Sequence, residues 1–144
     1  MKRLVIALLA LLVAGGCTAR QEAMTAHAVG LAVDTAGERV AQLEQKAGLD
    51  AIADVRAQAE AEERAPTEAE LNAATDDVEA QWRPVYRAYD AFGAAHGVWV
   101  ALLDSGRTIT PQVLRSVLAT WCALKELVVE FGVELPPLLP CEAG

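Results

Sequence analysis

The sequence predicts an all-α fold: an elongated three-helix hairpin or bundle with coiled-coil-like packing. Three observations carry this. Ala, Glu, Leu, Gln and Arg dominate, all strong helix formers, and no stretch alternates apolar and polar residues as a half-buried strand would. Apolar positions recur in steps of three and four. Helix boundaries are marked by cap and stop residues at three places along the chain.

The first helix is expected over about residues 25–64. From Val29 its apolar positions continue through Val33, Ala36, Val40, Leu43 and Ala47, a narrow seam of small residues. Gly30 and Gly37 beside that seam weaken the isolated helix but let a partner come close. Near Gly48 the pattern predicts a bend, a phase shift or a break before it resumes at Leu49, Ile52 and Val55. Pro66 disfavours helix at Ala65, and Thr67 with Glu70 forms a capping box. The second helix, about 68–104, carries Leu71, Val78, Trp82, Val85, Tyr89, Phe92, His96, Trp99 and Leu103 on one face. Pro84 should kink it without interrupting the apolar phase. Gly106 suits a left-handed stop. Thr110-Pro111 opens a third helix, about 111–131, with Leu114, Val117, Trp121, Leu124, Val128 and Phe131 inward. A proline-rich tail follows at 135–141. All aromatic residues lie at or after Trp82, so the packed body is expected mainly between helices two and three.

At the N terminus, Lys2 and Arg3 precede an apolar run from Leu4 to Ala14, then Gly15, Gly16 and Cys17. The run falls short of the roughly 20 residues a membrane span needs. Its layout resembles a secretory signal peptide. The small residues before Cys17 are similar to the lipobox of bacterial lipoproteins, although Ala14 stands where Leu is typical. That resemblance implies cleavage after residue 16, lipid on Cys17 and a tether over 17–24, with the helical domain at 25–144. Thr18, where an Asp would favour inner-membrane retention, implies the outer membrane facing the periplasm in a Gram-negative host.

The full chain has a formal net charge of −8, and losing Lys2 and Arg3 makes the mature part more acidic still. Such a surface is a poor match for nucleic acid, whose backbone needs clustered Lys and Arg. Three cysteines leave one unpaired in an exported chain. Lipid on Cys17 resolves the parity and leaves Cys122 and Cys141 as a disulfide that would pin the tail back along helix three. A buried free Cys122 with Cys141 pairing between molecules is the alternative.

Catalytic and metal sets are not evident, and no cofactor is expected. His27 and His96 are far apart and lack ligand spacing. Ser105 and Ser116 are the only serines, and neither sits in a nucleophile turn. Asp76-Asp77 and Glu62-Glu63 fall on polar helical faces. The one concentrated segment contains Trp82, Arg83, Tyr86 and Arg87, a candidate binding cluster because Arg and aromatics are enriched at interface hot spots. The competing reading puts Trp82 in the core and pairs the arginines with nearby acids. The expectation is a non-catalytic, lipid-anchored envelope protein acting through an envelope protein partner or self-association. The alternative is a prophage-encoded envelope lipoprotein in lysis or superinfection exclusion.

Overall fold

The computed structural model describes the backbone of residues 2–141 and the side chains of residues 18–141. It contains three helices in the order α1 (Lys2–Ala61), α2 (Glu68–Asp104) and α3 (Pro111–Glu130), with no strand among the described residues. The fold is an all-α three-helix bundle. Its α2 and α3 follow the predicted boundaries closely. For α1 the outcome differs at both ends. The helix runs through Thr18–Met24, the expected tether, because Ala, Arg, Gln, Glu and Met there all favour helix and no cap or proline interrupts them. It also continues through Gly48 and ends at Ala61 rather than near residue 64.

That earlier end has a local cause. Glu63 adopts a left-handed backbone with φ 55°, and the amide of Arg64 reaches back to the carbonyl of Ala59 at 3.0 Å. This is a Schellman stop with Glu where Gly is usual. Gly106 and Gly132 occupy the same position after α2 and α3, at φ 65° and 74°. There Arg107 N–H reaches Leu102 and Val133 N–H reaches Val128, both at 3.0 Å. Because a side chain in the left-handed region costs roughly 1 kcal/mol, Glu63→Gly should stabilise the protein by up to about that amount. A chemical-denaturation midpoint that rises without a change in slope would check it.

The α1–α2 turn is tied by charge. Thr67 caps α2, with its own N–H donating to the Glu70 carboxylate at 2.8 Å, and its hydroxyl accepts from Glu70 N–H at 3.3 Å. Arg64 forks onto Glu70 at 2.6 and 2.9 Å and donates to Glu62 at 2.7 Å. The Arg64 guanidinium, then the Thr67 backbone and hydroxyl donors, hold the Glu70 carboxyl down at about 2, against an ordinary 4.5. A lowered folded-state value means the tie is fully present above about pH 4.5 and is lost as the pH falls toward 2. In an NMR titration, Glu70 should therefore titrate near 2, and Arg64→Ala should move its midpoint up toward the ordinary range.

Helix pairing is antiparallel. Gly30 packs on His96 and Gly37 on Tyr89, so α2 numbers fall as α1 numbers rise. Likewise Trp82 stacks on Phe131 with centroids 4.0 Å apart, and Phe92 meets Trp121 at 5.9 Å. A Cβ on Gly30 would lie only 3.2 Å from the His96 ring, so this glycine allows the close crossing that the seam of small residues predicts. The close helix pairs are α1 with α2 and α2 with α3. The tail completes the bundle by running back between α1 and α3. Val133 and Pro136 share a cavity with Ala32 and Ala36, and Pro140 shares one with Thr18 and Leu118. Val133 and Leu135 are buried there.

One core follows from this arrangement. It joins Ala26, Val29, Val33, Ala36 and Val40 of α1 to Trp82, Val85, Phe92 and Trp99 of α2 and Val117, Trp121, Leu124 and Val128 of α3. Leu49 and Leu114, both expected on inner faces, are instead 62% and 40% exposed. Leu49 follows Gly48, where the apolar phase shifts. Leu114 faces a groove that α1, α3 and the tail do not close. Ala59, near the C-terminal end of α1, is fully buried outside this core.

Candidate functional site

The four residues of the predicted binding cluster separate by depth. Trp82 is 4% exposed and stacked on Phe131, so it belongs to the core and offers nothing to a partner. For Trp82 this agrees with the competing core reading and removes it from the candidate binding cluster. The physical reason is the helical phase: Trp82 lies three residues before the fully buried Val85, on the stripe that faces α3. Tyr86 is 39% exposed, and its hydroxyl donates to the Glu44 carboxylate of α1. Partial burial first, and then the Glu44 carboxylate, push the Tyr86 phenol up to about 12. Tyr86 is thus a clamp between α1 and α2 that stays partly exposed.

Arg83 and Arg87 stand one turn apart on α2 and are exposed. The three ion pairs among the described residues involve Lys46, Arg64 and their acids, so neither α2 arginine is paired there. The pairing with nearby acids that the competing reading supposed is absent among the described residues. What remains is a short basic ridge beside the Tyr86 ring, on an otherwise acidic chain.

His96 has a structural task. A backbone carbonyl can only accept, so its Nε2–H donates to the Ala26 carbonyl of α1 at 2.9 Å. Its ring stacks on Phe92 at 5.3 Å and meets Trp99 edge-on at 6.0 Å. His27 and His96 both border a cavity of about 380 Å³ with Asp34 and Asp104. Among the described residues no three His, Cys, Asp or Glu side chains converge as metal ligands. Ser105 caps the end of α2 and gives its hydroxyl to the Leu102 carbonyl at 3.1 Å. Cys122 and Cys141 form a disulfide with Cα atoms 5.6 Å apart, closing the tail onto α3. The Cys17 side chain lies outside the described residues.

Two features were not legible as sites. The Glu44–Tyr86 clamp joins residues far apart in sequence, and nothing local marks Glu44. The second is an apolar groove of about 390 Å³ at the end of the bundle where Thr18 lies, walled by α1, α3 and the tail. Beyond the apolar character of Leu114, Leu118 and Leu139, nothing in the sequence marks it. No helix of the described residues is long and apolar enough to cross a membrane. No known protein family matches the chain, and neither curated proteins nor solved structures give a significant match.

Proposed function

We propose that this is a lipid-anchored protein of the bacterial cell envelope, exported, held at the outer membrane by acyl chains on Cys17 and facing the periplasm. It acts there by binding another protein, without catalysis. The observation that carries this reading is the placement of Thr18 and Ala61 along α1. Thr18, next to Cys17, lies at the end of the bundle that holds Trp99, Leu114 and the tail. From Thr18 to Ala61 the helix extends on the order of 65 Å, so the charged α1–α2 turn would stand well away from the anchor. Along that rod, Arg83 and Arg87 are exposed, unpaired among the described residues and beside the partly exposed Tyr86, a combination suited to an acidic partner surface.

The test is capture from intact membranes after cross-linking. The native chain should incorporate labelled palmitate and recover a partner, whereas Cys17→Ser should lose both. Replacing Arg83 and Arg87 together with Glu should cut partner recovery about tenfold or more, since hot-spot residues contribute more than 1 kcal/mol each. Lipidation and thermal stability of that double variant should stay as in the native chain. Self-contacts alone, or full recovery with both arginines reversed, would remove the arginine ridge from the reading.

A further inference from the structure

The groove beside Thr18 has a composition that selects its occupant. Leu114 and Leu118 of α3 form one wall, Leu139 and Pro140 of the tail another, and Trp99 contributes from α2. Those walls carry no charged side chain. Among the described residues, polar side chains border the groove only along α1, at Thr18, Gln21, Glu22 and Thr25. A ligand suited to it has a long apolar body and polar character at one end alone, the end that meets α1. Its volume of about 390 Å³ lies in the range of small-molecule sites.

Thr18 is bonded directly to Cys17. We propose that the groove holds one acyl chain of the lipid on Cys17 of the same molecule, with the glyceryl or amide head at the Thr18–Gln21 edge. The inference rests on the lipid-anchor reading above. Tethering makes the binding intramolecular, so the local concentration of the acyl chain is high and little intrinsic affinity is required. Shielding an acyl chain from water is favourable whenever this end of the protein is out of a bilayer. The wall formed by Leu139 and Pro140 is held in place by the Cys122–Cys141 disulfide, which fixes the end of the tail.

The experiment uses the full chain, extracted from membranes in detergent. The mass of its N-terminal peptide first reads whether Cys17 is acylated. A photo-cross-linker is then placed in the groove as Leu114→p-benzoylphenylalanine, and on another face as Val129→p-benzoylphenylalanine. Irradiation should join the position 114 peptide to the acyl chain of the Cys17 peptide within one molecule, and the position 129 variant should give no such product. Reduction of the disulfide should diminish the product from position 114. An unacylated Cys17 overturns the anchor reading and this inference together. An acylated Cys17 with no cross-link from position 114, or with a cross-link to phospholipid or detergent instead, overturns this inference alone. A second measurement avoids the bulky probe: dibromostearate should quench tryptophan emission of Cys17→Ser protein, whose groove is free, more than that of acylated protein. Equal quenching counts against the assignment.

Discussion

Trp121→Ala should destabilise the protein by about 4 kcal/mol, the largest loss expected from any single substitution in the core. Trp121 is fully buried at the centre of the α3 face, between Val117 and Leu124, and its ring lies 5.9 Å from Phe92. Removing it leaves a cavity that neighbours on stiff helices cannot collapse into. The loss should also be uneven. Since α3 packs closely on α2 while α1 and α2 hold each other, weakening the α2–α3 contact frees α3 and the tail first. Thermal melts should show near-ultraviolet dichroism falling before the helical signal, and the two should coincide in the native chain. Trp121→Phe should cost less than half as much. Most ring contact survives, and the indole N–H, which finds no acceptor among the described residues, is removed with the larger ring.

The bundle was legible because the signals that set it are local. Capping at Thr67 and Thr110, left-handed stops at Gly106 and Gly132, and the apolar stripe from Val78 to Leu103 each act within a few residues. They give the same answer in the folded chain as in isolation. Pro84 was expected to leave the apolar phase intact, and α2 is continuous through it with Trp82 and Val85 buried on either side. Where the expectation failed, a local rule was outweighed by its surroundings. Thr18–Met24 is helix rather than tether because nothing in its composition stops α1. Glu63 takes a stop position reserved by preference for Gly, since Pro66 already bars helix at Ala65.

The candidate site was less legible, for a reason of geometry. Trp82, Arg83, Tyr86 and Arg87 are neighbours in sequence, but a helix turns each residue by roughly 100°, so adjacent residues point to different sides. Sequence proximity therefore grouped a core ring, a clamp and two free cations. The converse failure is the groove beside Thr18. Its walls come from three separated segments, and only the fold of the tail brings Leu139 toward Leu114 and Leu118. The disulfide was the one long-range feature within reach, because cysteine parity is a count and needs no geometry.

Breaking that disulfide, by reduction or as Cys141→Ser, is expected to cost about 3 kcal/mol, the value for closing a loop of this size in the chain-entropy model. For a domain of this length the melting temperature should fall by roughly 10 °C. The structural consequence should be confined to the tail. Val133 and Leu135 are buried at 4% and 5% exposure, yet the tail has no regular structure of its own and depends on α1 and α3 for cover. Once Cys141 is free, the segment after Gly132 should open on its own, well below the global transition. Limited digestion with a glutamate-specific protease should then cut after Glu134 faster in the reduced protein, while the α1–α2 hairpin stays resistant. Unchanged cleavage would mean that burial of Val133 and Leu135 alone holds the tail. Release of the tail would also remove the Leu139–Pro140 wall from the groove beside Thr18, so one covalent bond sets both the stability of the tail and the shape of that groove.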